Sequence, residues 1–401
     1  MKFELKEINK DIQIVLQHHK TPFYLYNVSH LRKNIEAIKS ILTEDIKLCY
    51  SIKANPLVVS YMQDLVTYFE VCSYGEYEIC REYIGKDKKI IFGGVCKLKE
   101  EILEAIKDKR IIVTIESITQ LHDINECCKL LGITKEVFLR MSTGNQFGLS
   151  MVDLEEIISQ RDKYKSIKIK GVQLYANTQC FQINKEKEYI KQLFEVIDQL
   201  EKNYGYKINI IDYGGGIGVP YYKKDLEKTN WEEMLQAISQ ELRDKSNGRQ
   251  IIYEAGRIIP ASCGIYVSSV CDQKINNKRR YSILDGGINH IKYYGQAFGG
   301  RNVIAKVLNG QEEKDIYTVC GPLCTSNDIL LRQMELAKHN IGDKIIFLNA
   351  GAYCQTEAAG LFLSRDLPAI FIIDENKTVK CVRNKIKTYT INSTLTNKER
   401  K

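Results

Sequence analysis

No stretch of this 401-residue sequence approaches the apolar length needed to span a membrane. Residues 1–10 are charged and lack the apolar core of a secretory signal. The 13 cysteines are odd in number and irregularly spaced, Cys127 and Cys128 being adjacent, and no two have CxxC spacing. That pattern speaks against both a zinc module and a secreted disulfide framework, and for reduced thiols in a cytoplasmic protein. There is no solenoid-type repeat. There is no basic stripe either. The net charge is +8, but the lysines and arginines are scattered, so neither nucleic acid nor membrane is an expected partner. What is present is ordinary globular composition, 44% hydrophobic and 27% charged. The length suits a large barrel with a smaller module.

The apolar pattern switches repeatedly between strand and helix periods. Strands are expected at 48–53, 69–73, 90–93, 111–116, 137–142, 170–176, 208–213 and 250–254. Helices are expected at 56–68, 76–83, 99–107, 118–131, 151–164, 185–204 and 231–245. About eight βα units result, the number that closes a (β/α)8 barrel. Beyond residue 261 short β-like runs take over, at 264–271, 281–284, 315–320, 344–348 and 369–373, separated by turn clusters. The expected architecture is an α/β barrel over 25–262 and a mainly antiparallel C-terminal β domain over 263–384. Residues 1–24 are expected to join that domain, the strand-like segment 22–27 lying near it or near the barrel entrance. The basic tail 385–401 is assigned no structure.

In such barrels the active site lies at the C-terminal ends of the strands. Those ends carry Lys53, Ser73, Tyr175 with Thr178, Gly214-Gly215-Gly216, and Glu254 with Arg257. Several are poor choices for packing and good ones for holding a phosphate and an aromatic heterocycle. Alternation puts Lys53 on the face of Ser51, toward the barrel mouth, where a desolvated amine is nucleophilic toward an aldehyde cofactor. A surface lysine at a strand end is the other reading. In Asp212-Tyr213-Gly214-Gly215-Gly216-Ile217-Gly218 the glycines let backbone N–H groups approach a phosphate. A flexible turn is the alternative, and a dinucleotide site fits the strand–helix count less well. In Glu254-Ala255-Gly256-Arg257 a carboxylate facing a pyridine nitrogen would keep it protonated and make the ring an electron sink. Arg257 could bond a phosphate; a local Glu–Arg ion pair is the bland reading.

Together these residues resemble the fold-type III decarboxylases dependent on pyridoxal 5′-phosphate (PLP), the group of the diaminopimelate and ornithine decarboxylases, over residues 22–373. Tyr50-Ser51-Ile52-Lys53-Ala54-Asn55 matches the lysine motif. Glu70-Val71-Cys72-Ser73, followed by Gly75-Glu76, resembles the segment after the second strand, with Glu70 where aspartate is usual. Glu254-Ala255-Gly256-Arg257 matches the Glu-Pro-Gly-Arg motif with Ala255 for proline. The resemblance implies an alanine-racemase-like PLP-binding (β/α)8 barrel with PLP on Lys53. It implies Glu254 on the pyridine nitrogen, Tyr175 stacked on the ring, and Thr178 where the family has serine. Phosphate contacts are implied for Gly214, Gly215, Gly216, Gly256, Arg257 and Tyr353. Glutamate rather than arginine at the nitrogen implies decarboxylation over racemisation.

Gly321-Pro322-Leu323-Cys324-Thr325-Ser326-Asn327-Asp328 resembles the family's cysteine motif. By composition Cys324 is merely a thiol. In the family this cysteine enters from the partner subunit as proton donor, which implies a homodimer with a shared site. Substrate contacts are expected from Thr325, Asp328 and His290, though a hydrogen-bonded loop histidine is an equal reading of the last. Arg365 stands near an arginine that helps bind a distal carboxylate.

Departures from the family bear on substrate. Thr325 replaces the acid that holds a distal ammonium, which penalises a cationic substrate. The stretches 285–290 and 295–299 lack the arginine and tyrosine of diaminopimelate enzymes. Together with Gly360-Leu361-Phe362-Leu363-Ser364 they resemble the branch serving siderophore and aminoglycoside pathways, where the amino acid can be linked to citrate or to a carrier protein. The expected activity is therefore decarboxylation of an amino acid or amino-acid conjugate. The rivals are a diaminopimelate decarboxylase, a catalytically inactive regulatory homologue and a racemase. No metal is expected.

Overall fold

The computed structural model describes residues 5–296 and 300–394. Residues 297–299 of the 295–299 stretch, and the end of the basic tail, lie outside the described residues. Two compact units are defined, one of residues 35–218 and 229–258, the other of 1–34, 219–228 and 259–401. Residues 25–34, 219–228 and 259–262, which sequence reading placed with the barrel, thus group with the second unit. Helix α1 (Leu5–Leu16) and strand β1 (Phe23–Asn27) also belong there, and helix α2 (Val28–Leu42) begins there.

The first unit is a closed parallel barrel of eight strands. These are β2 (Ile46–Ser51), β3 (Tyr68–Val71), β4 (Lys89–Phe92), β5 (Ile111–Ile115), β6 (Lys135–Arg140), β7 (Ile167–Tyr175), β8 (Ile210–Gly214) and β9 (Gln250–Ala255). Closure is made by β9 on β2, Ile46 opposite Ile251 through to Tyr50 opposite Ala255. Strands covered on both faces can be apolar throughout, as in β5, where all five residues are buried. Helices α3 (Tyr74–Tyr83), α4 (Lys99–Ala105), α5 (Ile118–Leu131), α6 (Met151–Ser159), α7 (Ile183–Tyr204) and α8 (Trp231–Ser246) lie between strands. The longest, α7, buries Ile190, Leu193, Ile197 and Leu200 at helical spacing, each side chain contributing about 1.5–3 kcal/mol. Its end is set by Gly205, left-handed at φ 60. Ser73, Ser117 and Asn230 cap α3, α5 and α8 by accepting from the third backbone N–H.

Two local expectations are corrected. Strand β2 stops at Ser51, and Lys53 sits in a 3-10 turn, Ile52–Ala54; the turn, not alternation, aims the lysine. The helix expected at 56–68 is a short 3-10 segment, Pro56–Tyr61. Asn55 caps it by accepting from Leu57 N, but Val58 and Val59 are β-branched and favour a longer helix poorly.

The second unit holds a nine-stranded sheet in the order β14-β13-β11-β10-β1-β16-β17, with β15 paired to β10 and β12. Its remaining strands are β10 (Gly264–Asn276), β11 (Arg279–Leu284), β12 (Ala305–Val307), β13 (Lys314–Cys320), β14 (Ile329–Ala337), β15 (Lys344–Phe347), β16 (Ala369–Ile373) and β17 (Val379–Arg383). Six pairings are antiparallel and two, β1 with β16 and β11 with β13, are parallel. Ile8, Ile12 and Val15 of α1 are buried against Phe23, Ile265, Ile346 and Phe371.

Candidate active site

The C-terminal ends of seven barrel strands bring a set of ionisable groups together. After β2, Lys53 Nζ lies 3.1 and 3.0 Å from the two oxygens of Glu70, at the end of β3. It lies 3.2 Å from Cys72 Sγ and 5.5 Å from the centre of the Tyr175 ring, at the end of β7. Cys72 donates to Glu70 Oε1 at 2.7 Å. Burial pushes the Glu70 carboxyl up, but the Lys53 charge and the bonds from Cys72, Lys53 and Ser51 outweigh it and hold the group below its ordinary value. Burial and the neighbouring Glu70 charge push the Cys72 thiol up, so it stays a neutral donor.

On the adjoining side, Arg140 at the end of β6 pairs with Glu116 after β5 at 2.9 Å. The Arg140 guanidinium carbon lies 4.9 Å from the ring centre of Phe147 and 6.0 Å from that of Tyr175. Glu116 also accepts from Gly94 N at 2.9 Å. Farther round, buried Gln173 donates to Glu254 Oε1 at 2.6 Å and to Asp212 Oδ2 at 3.2 Å. Burial, and then the Glu70 charge, raise Glu254 to about 7 against the pull of Lys53. Burial and Glu254 drive Asp212 well above its ordinary range.

The glycine run forms the fourth wall. Gly216 has φ +62, and a Cβ there would stand 1.8 Å from Asn177 O. A Cβ on Gly214 would stand 2.8 Å from the Tyr175 ring and 3.2 Å from Glu254 Oε2. The turn is stitched to the loop after β7 by Cys180 N donating to Gly216 O at 3.0 Å and Gly218 N to Cys180 O at 2.7 Å. Thr178 in that loop is exposed, and Arg257, beyond Gly256 in the turn after β9, is buried. The arrangement fits pyridoxal phosphate. There is an amine for its aldehyde, an aromatic face and a carboxyl flanking one glycine, and a backbone turn on which no side chain can intrude.

Sequence reading brought out Lys53, Tyr175, Glu254 and the glycine turn, which the fold assembles at one barrel mouth. It missed Gln173, Asp212, Arg140 and Glu116 as site residues. The one signal is position: each stands at or near a strand's C-terminal end, but a polar residue there also reads as solvent-facing.

In the second unit, Cys324 is exposed in the loop between β13 and β14, and Thr325 beside it is half-buried. Asp328 is buried; its Oδ1 accepts from Ile288 N at 2.9 Å and its Oδ2 from Leu323 N at 2.8 Å. Both carboxyl oxygens therefore brace loops. His290 is likewise internal, one ring nitrogen 2.9 Å from the Tyr266 hydroxyl and the other 2.7 Å from Asp366 O. Burial lowers it to about 4, and it reads as a neutral loop histidine. Arg365 donates to Pro322 O at 3.2 Å, within the Cys324 loop. Tyr353 is half-buried and takes the left-handed φ of 63, unusual for an aromatic residue.

Residues 28–261 match the family model described as pyridoxal-dependent decarboxylase, pyridoxal binding domain. The chain belongs to that family, and is an enzyme of the PLP-dependent amino-acid decarboxylases. It is similar to the diaminopimelate decarboxylase of Haemophilus influenzae, 28% identical over 385 residues, 92% of this chain and 91% of the relative. It is also similar to L-glutamyl-(BtrI acyl-carrier protein) decarboxylase of Niallia circulans, 26% identical over 403 residues, 94% of each chain. The solved diaminopimelate decarboxylase of M. jannaschii in complex with L-lysine shares the fold. Its TM-score is 0.87 over 97% of this chain and 95% of that one, at 23% identity. No helix among the described residues is long and apolar enough to cross a membrane.

Proposed function

We propose that this enzyme decarboxylates an amino acid joined to a larger acid or to a carrier protein, in a specialised pathway of the siderophore or carrier-linked kind. The observation that carries the proposal is the loop around Cys324. Thr325 is uncharged, and the one acid of residues 321–328, Asp328, gives both oxygens to backbone amides. The loop therefore offers no free carboxylate to a substrate's distal ammonium, and a missing partner of that kind costs a cationic substrate several orders of magnitude. The likeness to a carrier-protein decarboxylase supports the same reading.

Bound pyridoxal phosphate supplies an aldehyde for the substrate amine and a ring that withdraws electrons as CO2 departs. Lys53 would hold the cofactor through its ε-amine. Glu70 gives the displaced ammonium of Lys53 a waiting counter-charge. Glu254 presents its carboxylate to the ring nitrogen, and Tyr175 covers a ring face. The turn 214–216, with Thr178, Gly256 and Arg257, would receive the phosphate. Cys324 of the partner subunit delivers a proton from Sγ to the α-carbon once CO2 has left, so the working form is a homodimer. Action in the cytoplasm is part of the reading, supported by 13 cysteines that are all free thiols.

The deciding experiment measures CO2 release from meso-diaminopimelate, from free dicarboxylic amino acids, and from glutamate or diaminopropionate joined to a carrier protein or to citrate. A conjugated substrate is expected to exceed diaminopimelate by at least about 100-fold in kcat/KM. Diaminopimelate as the preferred substrate would place the enzyme in lysine synthesis instead. A colourless protein with no borohydride-fixed adduct would mark an inactive regulatory homologue.

A further inference from the structure

Behind the barrel mouth two acids share one amide. The Gln173 NH2 on β7 donates to Asp212 on β8 at 3.2 Å and to Glu254 on β9 at 2.6 Å. Asp212 is 0% and Glu254 5% exposed. Burial raises Asp212, and the Glu254 charge, acting directly on it, raises it further. Two like charges in so dry a place do not both ionise.

Which acid keeps the proton follows from their surroundings. Asp212 Oδ1 is buried without a hydrogen-bond partner among the described residues. An ionised oxygen left so is costly, a neutral carbonyl oxygen much less. Glu254 receives the shorter Gln173 bond and lies in the field of the Lys53 and Arg140 cations. The other groups facing the pair are Glu70, an anion acting on both acids, and Cys49, opposite Glu254 on β2, a thiol that burial keeps neutral.

We propose that Asp212 is a positioning residue that carries the single proton of this pair, so that Glu254 meets the cofactor ring as a carboxylate. Gln173 pins Glu254 Oε1, and Oε2 is the oxygen turned toward the glycine turn. The proposal rests on the reading of Glu254 as the ring partner. Its physical content is charge placement: an anion beside the ring nitrogen keeps that nitrogen protonated, whereas a proton left on Glu254 would deprive the ring of its counter-charge. Asp212 acts only through Glu254.

The test is difference infrared spectroscopy on cofactor-free protein, at a pH a unit or more above 7, comparing wild type, D212N and E254Q. The C=O stretch of a protonated carboxylic acid is expected in wild type and in E254Q, and is lost in D212N. Asparagine is a neutral isostere, so D212N is also expected to bind pyridoxal phosphate within about threefold of wild type, with no shift in the pH at which the bound cofactor's absorbance changes. A band that survives in D212N overturns the proposal. So does a downward shift of that absorbance titration by about one unit, the result of removing a like charge. A change in melting temperature without loss of the band would reduce Asp212 to a packing residue and also overturn it. If wild type forms no borohydride-fixed adduct with pyridoxal phosphate, the functional reading fails, while the infrared result on the cofactor-free pair stands by itself.

Discussion

Lys53 and Glu70 meet as an even fork, the amine 3.1 Å from one carboxyl oxygen and 3.0 Å from the other. Glu70 is 4% exposed, so the pair is mostly withdrawn from water and screened little by salt. The cysteine two residues on closes the group by donating a thiol proton to the same carboxylate.

Glu70→Gln removes the counter-charge and leaves the ammonium in a site built for a pair. Because the lysine side chain is partly exposed, the cost to cofactor-free protein is expected to be about 1–3 kcal/mol, less than for a fully buried pair. Turnover should fall by about 10- to 100-fold, as the displaced lysine loses its resting place. Thermal unfolding and steady-state kinetics check the two effects separately.

Lys53→Ala should abolish the adduct that borohydride fixes and lower the rate by at least about 1,000-fold. Mass spectrometry of the reduced, digested protein should find the cofactor on the peptide holding residue 53. A label found on another lysine would refute the assignment.

Gly216→Ala sets a Cβ 1.8 Å from Asn177 O at a φ of +62. The backbone cannot yield without moving the stitched turn, so a loss of about 1–3 kcal/mol is expected. Cofactor affinity should weaken by at least about tenfold. Fluorescence titration of the variant with pyridoxal phosphate reads that directly.

Glu254 titrates near 7 in the folded chain against an ordinary 4.5. Between those values the folded form binds more protons than the unfolded one. The contribution is therefore fully present below about 4.5 and is lost as pH rises through 7. Cofactor-free protein should melt progressively lower across that window, and E254Q should flatten the fall. A wild-type profile with no such fall would mean that Glu254 is ionised throughout.

Cys324→Ala is expected to keep the cofactor spectrum and lose about 100- to 1,000-fold in decarboxylation. Mixing it with Lys53→Ala should restore activity toward about a quarter of wild type, since random pairing of two inactive chains assembles one intact site in half of the dimers. Mixtures that stay as inactive as their parents would sink the shared site.

The barrel was legible because its signal is long-ranged. Eight apolar runs separated by amphipathic ones leave few other folds, and α5, expected at 118–131, has those bounds, between its Ser117 cap and left-handed Gly132. Strand β14 was not legible, for a local reason. Gln333 takes φ 47, and the ladder to β13 shifts register twice, so the inside–outside alternation slips midway and reads as loop. Helix α1 carries Ile8, Ile12 and Val15 at helical spacing, but lies in a stretch whose charge drew the eye first. At the site, Lys53 and the glycine turn announced themselves because each is a poor packing choice. Gln173 and Asp212 did not. A polar residue within a strand looks like a solvent-facing one until the barrel closes and puts it inside.

The turn 214–218 and the loop 176–180 are bonded to one another strand-fashion, and neither can change length without breaking the other. The turn and the loop thus behave as a single mechanical part, altered together or not at all. The Cys324 loop carries no such mutual constraint at its exposed tip, where Cys324, Ser326 and Asn327 face outward. Substitutions are therefore tolerated at that tip and resisted at the glycine turn.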